Sequence, residues 1–324
     1  MSGKGKNAID MTGGSLWKNI LVFSLPLMMT QMLEVLFNLS DVAIAGKYAD
    51  YIALGAVGST ALLVSLFTGI LIGMGAGVNV RTAHQLGAEK TSGSSETVAR
   101  TVYSGLIVCL IIGIILCLVC NIFARPMLET LKTKDELIES AVLYLKIYAL
   151  GMPAMAVYNF GNGVLSACGE TKKPLVYLSI AGVLNVILNI FFVVVCKKAA
   201  DGVAIASVIA QYLSASMIMC HLLRRKDSCK LRLSNKYFDT SACGGVLMIG
   251  IPTGMQNAIF AVANLFVQTG VNHFDAVMVS GNSAAQNADT LIFNVMAAIY
   301  TACASFISRN HGEGKNDRIL KSYF

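Results

Sequence analysis

The sequence predicts an all-α polytopic membrane protein, a six-helix bundle followed by the first two helices of a second, parallel-repeat six-helix lobe. Three observations carry that prediction. Of the 324 residues, 55% are apolar and only 13% charged, against about a quarter charged in an ordinary soluble protein, and mean hydropathy is +0.65. The apolar residues gather in eight runs, each reaching the roughly 20 residues that a bilayer-crossing helix needs. Separated stretches of the chain also repeat one another at an offset of 225 or 226 residues.

The expected spans are 19–44, 53–80, 99–123, 139–166, 174–196, 202–223, 243–270 and 281–307. A polar, basic N-terminus (MSGKGKNAIDMTGGS) leads straight into the first, with no cleavable signal pattern. That first span holds the most informative stretch, Leu25 to Gly46, which carries Gln31, Glu34, Asn38 and Asp41. On a helix these four project within a sector of roughly 80°. An ionisable group at mid-membrane costs on the order of 2.5–3.5 kcal/mol, so such a face is expected to turn inward and be used. Pro26 removes a helix hydrogen bond and makes a candidate hinge. The fourth span, 139–166, reads as one helix, and the segment before it, 124–138, as an acidic loop with a short surface helix. Asn185 and Asn189 stand one turn apart on the fifth span, and Ser207 and Gln211 one turn apart on the sixth. Such amides and hydroxyls either hold helices together or complete a cation shell. The seventh span carries Pro252, Gln256, Asn257 and Asn264, and the eighth carries Asp289, the one carboxylate well inside that half.

Loop charge sets the expected orientation. The N-terminus, 81–100, 167–173, 224–241 and the tail after 308 hold 18 of the 25 Lys and Arg residues, and the alternate set of loops holds 6. The positive-inside rule then puts the N-terminus in the cytoplasm of a multi-pass plasma-membrane protein. The repeat pairs SLPLMMTQ (Ser24–Gln31) with GIPTGMQN (Gly250–Asn257), Asn38 with Asn264, and the turns Gly87–Lys90 and Gly312–Lys315. Six spans per copy keep both copies in one orientation, with a substrate site expected between them. The expected organisation is a first lobe over 1–223, a basic linker over 224–241, and a partial second lobe over 242–324. Two copies of such a unit need roughly 450 residues, so the chain reads as one half plus the start of another and is expected to be inactive alone.

Several functions are disfavoured. The net charge of +7 follows from loop asymmetry and does not imply nucleic acid. The nine cysteines read mostly as small hydrophobes in apolar runs, without a disulfide framework. His84, His221, His273 and His311 are scattered, and no Ser–His or paired-aspartate constellation suggests an enzyme. The two G-x-x-K turns lack the leading glycine and strand of a phosphate loop. Met28, Met29 and Met32, with Phe37 and Tyr158, could form a soft cavity wall.

Pro26, Gln31, Asn38, Asp41 and Gly46 on the first helix, with the two G-x-x-K turns, resemble the MATE (multidrug and toxic compound extrusion) family. The resemblance runs over essentially the whole chain. It implies twelve helices in two lobes around a central cavity, and export of organic cations against inward flow of Na+ or H+, with no cofactor. It makes Asp41 the coupling-cation residue and the one possible Na+ ligand of charge, with Asn185 and Ser207 in the same site. Two departures stand out: Asn189 where many relatives carry Asp, and Phe260 where another branch carries Glu. The resulting expectation is a monomeric antiporter in a lipid bilayer. Asp41, Asn38, Asn185, Asn189 and Ser207 serve coupling. Gln31, Glu34, Tyr158, Gln211, Gln256, Asn257, Asn264 and Asp289 face substrate, and Pro26 and Pro252 act as hinges. A lipid-linked oligosaccharide flippase of a related superfamily is the alternative; it would call for cationic cavity residues, and the spans contain almost no Lys or Arg.

Overall fold

The computed structural model describes residues 9–271 and 276–323. Residues 272–275 of the expected loop 271–280, His273 among them, lie outside the described residues. The helices in order are α1 Leu16–Tyr48, α2 Tyr51–Ser92, α3 Ser95–Thr130, α4 Asp135–Ala149, α5 Met152–Ala167, α6 Lys172–Ile190, α7 Ala200–Arg224, α8 Thr240–Val271, α9 Ala276–Gly312 and α10 Asn316–Tyr323. A π-helical turn, Phe191–Val195, extends α6. Among the described residues seven helices are long and apolar enough to cross a membrane, and α4 with α5 makes an eighth, bent by 44°.

The expected eight spans are all present, and the structure corrects three details. The fourth span is two helices. Pro153 stands at the start of α5, where its missing N–H costs a new helix nothing, but where it cannot continue the old one. The expected acidic loop 124–138 is mostly helix: α3 runs on to Thr130, and a tight turn with Lys132 at φ 54° leads into α4. Arg125 pairs there with Glu129 and Glu139, so one of the segment's three basic residues has acidic partners close by. Finally, Cys168 and Cys229 are disulfide-bonded across 61 residues of sequence. The segment after α7 folds back onto the bundle, which local hydropathy could not reveal.

α2 is the central element and packs on α3, α4, α5, α8 and α9. Its approach to α8 depends on glycine. A Cβ on Gly73 would lie 2.3 Å from the Gly254 nitrogen, and one on Gly77 would lie 2.5 Å from the Val246 carbonyl oxygen. Small residues four apart let two membrane helices touch backbone to backbone. α1 lies against α9, where Phe23 and Phe306 meet edge to face at 5.6 Å. Each copy's first helix therefore packs on the other copy's second.

The basic segments gather on one face of the bundle, here the terminal face. Residues 225–239 are sewn to α2, α3 and the α5–α6 turn. Arg225 pairs with Glu170 and Asp227, Ser228 donates to Glu89, and Tyr103 donates to Asn235. The segment at 9–14 is held by Gly169, Asn310, Lys315 and Arg318. Glu313, with Lys90 and Lys315 on its carboxylate, completes this surface.

Candidate functional site

The site forms where α1, α6 and α7 converge. Asp41 sits two turns from the end of α1 and is 7% exposed. Its Oδ1 accepts from Asn189 Nδ2 at 2.5 Å, and its Oδ2 accepts from the Ser207 hydroxyl at 3.0 Å. Asn185 closes the ring. Its Nδ2 donates to Ser207 Oγ at 3.2 Å and its Oδ1 accepts from Asn189 Nδ2 at 3.2 Å. The i, i+4 spacing of Asn185 and Asn189 puts both amides on the face of α6 that meets Asp41. One oxygen of this ring, Asn189 Oδ1, is buried without a hydrogen-bond partner. Charge-assisted bonds to a carboxylate are the strong ones, and here they substitute for water around a charge inside the bundle.

A cavity of about 170 Å³ opens beside this ring. Its polar lining includes Glu34, Asn38, Asp41, Asn185, Ser207 and Gln211, and its apolar lining includes Phe37, Met155 and Tyr158. No Lys or Arg lines it. The tip of the Phe37 ring fits against α6 because residue 182 is glycine: a Cβ there would fall 1.7 Å from it. Tyr158 is buried and donates its hydroxyl to the Pro174 carbonyl at 3.2 Å.

The other residues marked by the sequence fall elsewhere. Asn38 lines the cavity but donates to the Glu34 backbone oxygen of its own helix at 3.0 Å, not to Asp41. Gln31 lines a second, smaller cavity. Asn257 donates to the Gly69 carbonyl at 3.1 Å and so serves the α2–α8 contact. Gln256, Asn264 and Asp289 are exposed and line neither cavity. Met28 packs with the Phe23 cluster and Met29 is half exposed, so the methionine of the cavity wall is Met155. Pro26 and Pro252 lie inside unbroken helices. Sequence reasoning missed Tyr148, Thr68 and Asn159, which also line the cavity. Their polar positions on otherwise apolar helices were the available signal.

A multi-pass helical bundle that buries one hydrogen-bonded acid beside a cavity has the architecture of a membrane transporter. The chain belongs to the MATE family: the MatE family model matches residues 26–191, just over half of it. It is 27% identical over 314 residues to the probable multidrug resistance protein YpnP of Bacillus subtilis, covering 96% of this chain and 69% of that one. With the probable multidrug resistance protein NorM of Thermotoga maritima the identity is 23%, over 94% of this chain and 65% of that one. A solved structure, MATE in the bent conformation, superposes with a TM-score of 0.89 at 20% identity, over 99% of this chain and 70% of that one. The chain thus spans about two thirds of the length of the curated relatives it matches.

Proposed function

We propose that this sequence carries the coupling-ion lobe of a secondary antiporter that exports organic cations in exchange for Na+ or H+. The observation that carries the reading is Asp41. It is a buried carboxylate at a cavity wall that lacks Lys and Arg, so the charge it presents is available to a cation.

Side-chain oxygens of Asp41, Asn185, Ser207 and Asn189 meet in this ring, and the Oδ1 of Asn189 is unpartnered. Hard cations take oxygen ligands of this kind, so the residues present fit Na+ as cargo. A proton can bind the same carboxylate. Either one neutralises Asp41 and releases Asn189 and Ser207 from charge-assisted bonds. The contacts between α1, α6 and α7 then differ between the loaded and empty states, and that difference is what can bias a two-state lobe. A substrate cation drawn by the same carboxylate prefers the unloaded state, so ion and substrate exclude one another. One charge falling through 100 mV supplies about 2.3 kcal/mol to the exchange.

In this reading residues 1–223 form one lobe, 224–241 its fixed cytoplasmic strap, and 242–324 part of the second. The terminal face, rich in Lys and Arg, lies in the cytoplasm, and the bundle works as a monomer. Pro26 and Pro252, each depriving its helix of a hydrogen bond, let α1 and α8 bend as the lobes rock. Because the chain spans about two thirds of its relatives' length, transport is assigned to the transporter that contains this sequence. A lipid-linked pyrophosphate substrate finds no cationic partner in the lining, which disfavours the flippase alternative. The reading is tested by efflux of a fluorescent organic cation: Asp41→Asn abolishes ion-driven efflux, and undiminished efflux would remove Asp41 from the mechanism.

A further inference from the structure

Below the Asp41 cavity, toward the terminal face, lies a second cavity of about 70 Å³. α1, α2, α5 and α9 enclose it, and Gln31, Asn79, Asn162 and Ser166 supply much of its polar lining. Three residues line both cavities: Glu34, Ile72 and Asn159. Glu34 is the one carboxylate of the lower cavity; its other polar lining residues are neutral amides and hydroxyls.

The two carboxylates on α1 are held differently. Asp41 is fixed by Asn189 and Ser207. Glu34 stands seven residues earlier, about 10.5 Å along the helix axis, and its carboxylate takes no hydrogen bond from a described residue; Asn38 bonds only its backbone oxygen. The titratable groups facing it are Asp41 on its own helix, Tyr148 on α4 and Tyr158 on α5. The cavity-facing residues of α2, α6, α7 and α9 are uncharged. Beyond the lower cavity the way to the terminal face is shut. Asn79 and Ser305 bond each other in both directions, at 2.8 and 3.1 Å, and Ser308 donates to the Val80 carbonyl at 2.7 Å. Gly87 and Gly312 then cross so closely that a Cβ on either would lie within 2.1 Å of a backbone oxygen.

We propose that Glu34 is a transient cation station between the two cavities: the coupling ion leaves Asp41, is held by Glu34, and exits through the lower cavity when α2 and α9 part. The proposal rests on the antiporter reading and adds the exit route to it. Its physical basis is the contrast in ligation. A carboxylate already bonded by the protein offers a shaped, selective site. At Asp41 a cation also meets the fixed oxygens of Asn185 and Ser207, whereas at Glu34, with cavity on both sides, it keeps its water and is held by charge alone, so it is let go, which is what conduction between sites requires.

The test separates equilibrium binding from flux in the transporter that contains this sequence. 22Na+ binding is measured on purified protein, and gradient-driven 22Na+ and proton fluxes are measured in proteoliposomes. Glu34→Gln is expected to keep cation affinity within about twofold while lowering flux by about tenfold, and Glu34→Asp to restore part of the flux. Wild-type flux in Glu34→Gln overturns the proposal. Loss of equilibrium binding in Glu34→Gln, matching the loss in Asp41→Asn, also overturns it, because Glu34 would then belong to the primary site. Full cation binding in Asp41→Asn would instead overturn the antiporter reading, whatever Glu34 does. Retained binding in the Gln variant doubles as the control that it has folded.

Discussion

α1 and α8 occupy corresponding places in the two copies of the repeat, yet only one of them carries charge. At an offset of 226, Pro26 matches Pro252, Gln31 matches Asn257 and Asn38 matches Asn264. The same offset sets Glu34 against Phe260 and Asp41 against Val267. The shared residues are those that shape helices and join them, as Asn257 does when it bonds Gly69. The differing residues are the two carboxylates. On these two helices, then, the positions that shape and join helices correspond, while the two carboxylates stand on α1 alone. Asp289, the carboxylate within α9, lines neither cavity.

The largest effect expected from this contrast is between two aspartates. Asp41→Asn should lower ion-driven efflux by about a hundredfold or more, the loss expected when a charged partner buried in a site is removed. Asp289→Asn, at a residue that lines neither cavity, should leave it within about twofold. Comparable losses in the two variants would break the asymmetry. A second effect concerns the scaffold that joins the copies. Gly73→Ala drives a methyl into the Gly254 backbone and should destabilise the protein by about 1–3 kcal/mol, read as a lowered Tm in detergent. Gly58→Ala, where an added Cβ meets nothing within 4 Å, should be neutral or stabilising by up to about 1 kcal/mol.

Within the first copy, Ser207→Ala removes one donor and one oxygen from the Asp41 ring. In the proposed site that oxygen is a ligand of the ion, so 22Na+ binding should weaken severalfold; tighter binding would show that Ser207 serves only as a donor to the unloaded carboxylate. The smallest effect lies at the terminal face. Burial raises the Glu313 pKa, but bonds from Lys315, Lys90 and Thr12 outweigh it and hold the carboxyl below its ordinary value of 4.5. A depressed carboxyl stabilises the fold above the unfolded value and loses that contribution as pH falls through the folded one. Glu313→Gln should thus cost under about 1 kcal/mol at neutral pH, and the difference from wild type should vanish well below pH 4.5. A Tm series against pH checks both the size and the sign.

The sequence made the helix count and the inward turn of Asp41 legible, because each is a periodic or compositional property of a single segment. The ring around Asp41 was half legible. Asn185, Asn189 and Ser207 could be marked as polar residues on apolar helices, but the bond from Asn189 spans 148 residues, and no local pattern encodes it. The break between α4 and α5 carried its signal in Gly151 and Pro153 and was passed over because hydropathy continues across it. Helix ends were set too short because charged residues such as Arg81 and Lys90 mark where lipid ends, not where the hydrogen-bond ladder ends. The roles of Asn257 and Met28 were out of reach for another reason. A polar or flexible residue on a buried face serves packing as readily as a cavity, and only the neighbouring helix decides between them.

The most direct test is counterflow. An organic cation is added to one side of proteoliposomes bearing the transporter that contains this sequence, and sodium and proton movement are recorded together. The account predicts opposing movement of one of these ions in the wild type and none in Asp41→Asn. Counterflow of wild-type size in Asp41→Asn would contradict it.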